Sequence, residues 1–517
     1  MKFPTFVQIF CMKKLLSFLF TISFFVVQAQ ELKTTENRVE IDINDGHFDE
    51  DFFTFGKNGF VLKSFSYQDG RRGDLYMHHD LYDTNMVMVG ESAEVVDKRN
   101  SFYNSFQGEQ KVYHLSYARK MPFVIYEYDA AEKSTRNYNI PSDELAGLNS
   151  IHSFYVVDQK AVAIGVTKTK SYLLFFDLDK ETVQATPILV EGFKSKRTFP
   201  INIEYIDEKN LFYLSIRAYK SVFSSSAYLQ TIDLDGQVSA LQKINEGTDK
   251  VIKTITVGGV SNDEIAIAGT YSSFVNGASN GIYFATSVNG VVDNISTYNF
   301  LEIPNYTSYL PQRTQQRVEK KKERAANRGK ELEANQLIMM HDLITVDNDF
   351  LIIAEAYYPT YRTETRTTYV NGKPTTTTVQ VFDGYQYTHA LVAKFNSQGE
   401  MLWSQVFKMY LWYKPMRAKQ FIRIAGREQN SIKLVYADGR NIYSKSFSFS
   451  GEVLSEKTSN PINTTNENDK IRASYSDVIY WYDNYFLSYG SQVIKNKTDE
   501  DVKRKRFVLF MNKISFE

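Results

Sequence analysis

Short apolar runs alternate with compact polar knots along nearly the whole chain. In FYVVDQKAVAIGV, IEYIDEKNLFYLSI, TVGGVSNDEIAIAG, LITVDNDFLIIAEA and VIYWYDNYFLSYG, an apolar run meets Asp, Asn, Glu or Lys, and a second apolar run follows. Asp and Asn accept turn geometry and bond their own backbone, so each knot predicts a tight hairpin between two strands. Looser copies stand at FFTFGKNGFVLKSF, NSFQGEQKVYHLSY and RIAGREQNSIKLVY. The knots centre on Lys57, Glu109, Gln159, Glu208, Asn262, Asn348, Gln429 and Asp483. Most are about fifty residues apart, with two longer gaps flanking Asn348.

After most knots a third strand ends in another turn, as in SYLLFFDLDKETV, YLQTIDLDGQV and NIYSKSFSFSGEVL. Each unit therefore offers about four short strands, and that period with that content is the pattern of a β-propeller blade. The predicted fold is all-β: a single propeller of eight blades, or seven if the weak unit near Glu109 is not one. The last unit stops at RFVLFMNKISFE, after its third strand, while RVEIDIN (Arg38 to Asn44) alternates like a strand and belongs to no unit. This N-terminal strand is predicted to complete the last blade and close the ring, removing open sheet edges. The repeat resembles β-propellers in general. It lacks the Gly-His and Trp-Asp punctuation of WD40 repeats and the paired glycines of kelch repeats.

The two long gaps hold insertions. QQRVEKKKERAANRGKELEANQ (Gln315 to Gln336) is rich in strong helix formers, with Val318, Ala325 and Leu332 as a thin apolar seam. It predicts a solvated helical insertion over about 312–336. The second gap holds YYPTYRTETRTTYVNGKPTTTTVQVFDGYQY, where Asn371-Gly372 is a hairpin turn between Thr-rich arms. It predicts a long β-hairpin over about 359–387, and long loops on a rigid scaffold commonly carry binding.

Composition supports the strands. The chain has 35 Tyr and 37 Phe against 11 Pro, a bias toward pleated, half-buried surfaces. The first residues stand apart: Lys13-Lys14 precede the uncharged run LLSFLFTISFFVV, and VQAQ follows with small residues at the cleavage positions. That is the pattern of a secretory signal peptide over 1–29, leaving 30–517 as the propeller domain. MKKLLSFLFTISFFVVQAQ resembles signal peptides of Bacteroidota, which implies a periplasmic, outer-membrane-associated or extracellular address. The lone cysteine, Cys11, lies ahead of the apolar run, so a cleaved chain carries no thiol for disulfides or metal thiolates. With 60 Lys and Arg against 60 Asp and Glu, the chain lacks the basic footprint of a nucleic-acid binder. No stretch after the leader has the length and apolarity of a membrane-spanning helix.

Catalytic motifs are scarce. GASNG (Gly277 to Gly281) matches a nucleophile elbow in letters, but it joins two predicted strands, whereas the elbow requires a strand-to-helix turn around Ser279. MHHD places His78 and Asp80 on one strand face, fewer ligands than a zinc site takes. IDINDGHFDED gathers acids in an order unlike a calcium loop. No cofactor and no metal site is expected. The aromatics Trp403, Tyr410, Trp412 and Tyr413 bunch in WSQVFKMYLWYKP, a composition suited to sugar stacking or to interface anchors. With Tyr369 and Asn371 of the hairpin they form the candidate binding residues. The expected function is an exported, non-enzymatic binding or scaffolding propeller of the cell envelope, with an envelope protein or glycan as partner. The rival is an envelope hydrolase or lyase acting on glycan or peptide, with carboxylates from different blades meeting in the funnel.

Overall fold

The computed structural model describes residues 32–43, 46–68, 73–142, 145, 147–245, 248–261, 264–346, 348–370, 373–425 and 431–516. The leader, Asn371, and the knot centres Asn262 and Gln429 lie outside the described residues. Eight antiparallel sheets follow one another along the chain. Blades 1 to 8 begin with innermost strands at Phe48–Thr54, Ser101–Gln107, Ser150–Val157, Thr198–Ile206, Thr256–Ser261, Ile344–Val346, Arg423–Ala425 and Lys470–Tyr482. From axis to rim the strands of each blade pair in turn, except that in blades 5 and 6 the inner strand is in two pieces, Val251–Ile252 with Thr256–Ser261 and Leu337–Met340 with Ile344–Val346, both paired with the next strand. The protein is an eight-bladed β-propeller, and the weak unit near Glu109 is a full blade of four strands.

The knots turn as their chemistry requires. Val157 pairs with Lys160, leaving Asp158 and Gln159 as the loop at φ 44° and 62°. Two successive left-handed residues make the hairpin turn that matches strand twist. Asn210 and Asp483 adopt the same backbone region at φ 54° and 45°.

The core is divided among the seams between blades. In blade 3, Ala161, Ala163, Leu174 and Phe176 pack toward blade 2, while Val162, Ile164, Leu173 and Phe175 pack toward blade 4. Alternating side chains on a sheet buried on both faces explain why such strands read as unbroken apolar runs.

The ring closes as the sequence predicts. Leu32–Asp42 pairs antiparallel with Lys505–Phe516 as the fourth strand of blade 8. Its Val39 and Ile41 pack on the blade 8–blade 1 seam with Phe52, Phe60 and Leu62.

The helical insertion is shorter than its composition suggests. The helix is Gln312–Ala326 and buries none of its residues. The chain from Glu331 onward docks on blade 5 instead. Asn299 Nδ2 donates to Glu331 Oε1 (2.6 Å) and the Leu332 carbonyl (2.8 Å), and Asn280 Nδ2 donates to the Ala334 carbonyl (2.9 Å). Helix propensity is a weak preference, and these contacts override it beyond Gly329.

Candidate binding surface on blade 6

The second and third strands of blade 6, Asp349–Val370 and Lys373–Phe395, outrun their neighbours. The inner neighbour here, Leu337–Met340, starts where Leu337 pairs with Tyr357, and the outer one, Met401–Tyr413, ends where Tyr413 pairs with Tyr385. Beyond those pairs no other strand among the described residues pairs with the hairpin, which runs to Val370 opposite Lys373. At ~3.3 Å per residue this two-stranded arm is roughly 40 Å long. It is therefore the direct extension of two blade strands and not a separate lobe. Facing threonines, Thr365 with Thr378, Thr367 with Thr376 and Thr368 with Thr375, stiffen it. Arg362, Glu364 and Arg366 add ion pairs along its surface.

At the root, the two faces differ. Toward blade 7, Tyr387 and Tyr413 each meet Phe421 edge-on at 4.9 Å, and the Tyr387 hydroxyl donates to the Lys419 carbonyl at 2.6 Å. Lys419 lies over the Tyr413, Phe421 and Tyr475 rings and is paired with Asp477. Away from that seam, Tyr358, Tyr410 and Trp412 are 51%, 76% and 47% exposed. Trp412 is held in place: its Nε1 donates to Thr360 Oγ1 at 3.3 Å, and Lys414 sits 5.9 Å from its ring. Gly384, at φ 139°, lets the strands approach here, since a Cβ would lie 2.5 Å from the Tyr413 carbonyl oxygen.

The aromatic bunch of the sequence is thus dispersed. Tyr410 and Trp412 share an open surface with Tyr358, which sequence reasoning passed over. Tyr413 belongs to the blade 7 seam. Trp403 is partly buried, its Nε1 bonded to the Phe449 carbonyl at 3.0 Å. Tyr369 is 75% exposed near the arm's tip, eleven positions beyond Tyr358, and Asn371 lies outside the described residues. Alternation along the strand makes this split: Trp403 and Tyr413 share the side of Phe407, Met409 and Leu411 in the blade 6–blade 7 seam, and Tyr410 and Trp412 take the opposite face.

Other chemistry is spoken for. Ser279 is buried and donates to Thr270 Oγ1 at 3.0 Å within blade 5. His78 bonds Ser66 Oγ at 2.7 Å, and its ring stands 4.7 Å from that of His47. On the same face, burial and then the Glu91 charge push Asp80 up to about 6. Of the acids near the ring closure, Asp42 pairs with Lys503 at 3.1 Å and Asp51 with Lys63 at 2.6 Å. Two buried carboxylates that no motif announces join blades. Glu204 of blade 4 accepts from the Thr256 hydroxyl and the Val257 N–H of blade 5, both at 2.8 Å. Burial, and then the charge of Asp342, push it up to about 8. Glu355 of blade 6 accepts from Phe421 N (2.9 Å) and Ile422 N (2.8 Å), at the entry to blade 7. Among the described residues no group of three or more His, Cys, Asp or Glu is placed to hold a metal ion, and no helix is long and apolar enough to cross a membrane.

No protein-family model and no curated protein matches the chain. Similar solved structures include a dihydro-heme d1 dehydrogenase, NirN, at 11% identity and TM-score 0.41, covering 93% of this chain and 79% of that one. The BP39L lectin from Burkholderia pseudomallei matches at 10% identity and TM-score 0.36, covering 80% of this chain and 97% of that one. The WD40 domain of SCAP from fission yeast matches at 6% identity and TM-score 0.38, covering 94% and 98%. These likenesses carry no argument about activity; the eight sheets themselves establish the fold.

Proposed function

We propose that the protein is an exported binding or scaffolding propeller of the cell envelope, whose recognition surface is the blade 6 arm with its root, and whose partner is another envelope protein. One observation carries this reading. Tyr358, Tyr410 and Trp412 stand largely open to solvent at the base of an arm whose two strands both have unpaired outer edges. Exposed Tyr and Trp clusters are the usual anchors of protein interfaces. Unpaired strand edges supply main-chain donors and acceptors to an added strand. An isolated two-stranded hairpin is marginal in water, so a partner strand would stabilise it.

Crosslinking and affinity capture from the native envelope test the reading. The full chain is compared with a variant whose residues 361–382 are replaced by a short Gly-Ser link, and with the pair Y410A and W412A. Defined partners lost in both variants support it, and partners retained in both refute it. Export is tested separately by the N-terminus of the mature protein in the envelope fraction, expected at Gln30.

A further inference from the structure

The polar knots of blades 2, 3 and 4 share a feature beyond turning. Each innermost strand there carries an aromatic one or two residues before its end, followed three positions later by an acid: Phe106 and Glu109, Tyr155 and Asp158, Tyr205 and Glu208, the last with Asp207 between. Because the knots occupy equivalent places in consecutive blades, these ends meet. They line a cleft of about 640 Å³ at one end of the ring, with Phe106, Tyr155 and Tyr205 as apolar walls and Glu109, Asp158 and Asp207 at the turns. The Phe106 and Tyr155 rings lie 5.2 Å apart across the seam between blades 2 and 3.

The charge of this cleft is not balanced internally. Among the described residues that line it the one cation, Lys111, is committed to Glu127 at 2.6 Å and Asp129 at 3.4 Å. Among the described residues no salt bridge engages Glu109, Asp158 or Asp207. Blade 8 provides the contrast: its Tyr480 is likewise followed three positions later by Asp483, and there Lys57 neutralises the acid at 3.1 Å. Burial, followed by the charges of Asp207 and Asp158, raises the Tyr205 hydroxyl above its ordinary range.

We propose that this cleft binds an organic cation, an alkylammonium or guanidinium group, with its charge against Asp158 and Asp207 and its apolar stem against Tyr155, Tyr205 and Phe106. Aromatic faces attract such cations electrostatically, and carboxylates fix their N–H groups. The cleft is of the size that encloses a small ligand or a few peptide residues. The site lies on different blades from the arm, so its success or failure is independent of the blade 6 reading.

The test is calorimetric titration of the full mature chain with arginine amide, with the peptide acetyl-Gly-Arg-Gly-amide, with the uncharged isostere citrulline amide, and with calcium chloride. Either arginine probe should bind and citrulline amide should not. The stronger of the two arginine probes tells whether the cation is presented free or on a chain. Asp158 has a left-handed backbone that Asn also tolerates, so D158N with D207N should fold. It should weaken arginine binding about tenfold, and Y155L should weaken it too, with melting temperatures near the parent's. Equal binding of citrulline amide, affinity untouched by D158N with D207N, calcium binding in place of arginine, or no binding of either arginine probe at millimolar concentration would each overturn the assignment.

Discussion

Replacing Arg38 by methionine tests ring closure at a single side chain. On the closing strand, Val39 and Ile41 point to the blade 1 seam, so Arg38 and Glu40 point the other way, toward blade 7. The Arg38 side chain is 6% exposed. It donates to Glu40 Oε1 at 2.8 Å, to the Asn463 carbonyl at 2.7 Å, to Asn512 Oδ1 at 3.0 Å and to Gln492 Oε1 at 2.8 Å. Its guanidinium also lies 4.8 Å above the Phe510 ring. One side chain therefore ties the N-terminal strand to the rest of blade 8 and to the loop leaving blade 7. Methionine keeps the stem's packing and removes every donor. Breaking a buried ion pair costs about 3–5 kcal/mol. Glu40 retains Arg506 at 3.3 Å, which offsets part of that loss. The expected destabilisation is about 2–4 kcal/mol. R362M is the control: Arg362 is also paired, with Glu364 at 2.6 Å, but its side chain is 51% exposed. Exposed pairs are worth about 0–1 kcal/mol. Urea unfolding followed by fluorescence should place the R38M midpoint clearly below that of R362M, with faster unfolding. Coincident midpoints would refute the idea that this strand locks the ring.

Replacing arm residues 361–382 by Gly-Ser should leave thermal stability almost unchanged, because the Thr-rich arm buries little apolar area; a collapse in melting temperature would make the arm structural. W412F should remove most of the acrylamide-quenchable tryptophan emission, since Trp412 is 47% exposed and Trp481 only 2%; unchanged quenching would mean that Trp412 is covered. Glu204 keeps its proton up to about 8 in the folded chain, against an ordinary 4.5. The folded state then holds a proton that the unfolded state releases, so this group's contribution falls as pH rises from about 4.5 to 8. E204Q should accordingly gain stability relative to the parent between pH 5 and 8 in paired urea titrations, and a constant difference would show that Glu204 is ionised. His79 is held neutral down to about 3, by burial first and then by the Lys63 charge. The unfolded chain takes up that proton below about 6.5, so an acid-side loss of stability should persist in E204Q.

The architecture was legible because it rests on local chemistry repeated many times. A polar knot needs only its own residues to turn, as Asp158-Gln159 does, and the strands on either side need only unbroken apolar runs to be buried on two faces. Repetition then gave blade number, and the unpaired alternation of RVEIDIN gave closure. The two long gaps told of a helix and a hairpin, although the helix ends at Ala326, where docking of the following segment on blade 5 outweighs propensity.

The candidate surface was legible only in part, since residue type was visible and facing was not. Trp403, Tyr410, Trp412 and Tyr413 are neighbours in sequence, yet alternation along the strand sends Tyr410 and Trp412 to the open face and Trp403 and Tyr413 to the blade 7 seam. Tyr358 joins Tyr410 and Trp412 through pairings between strands, a long-range relation with no local signature. Glu204 and Glu355 look like ordinary surface carboxylates until the next blade's N–H groups close over them. What the sequence determined by itself was every feature set by short-range backbone preference and by the period of burial: all-β content, eight units, closure by the first strand. What only the tertiary structure decided was which side chains from distant units share a seam, an open face or a cleft. Those meetings depend on register and on how one blade lies on the next, and both are fixed by packing that forms only when the ring is complete.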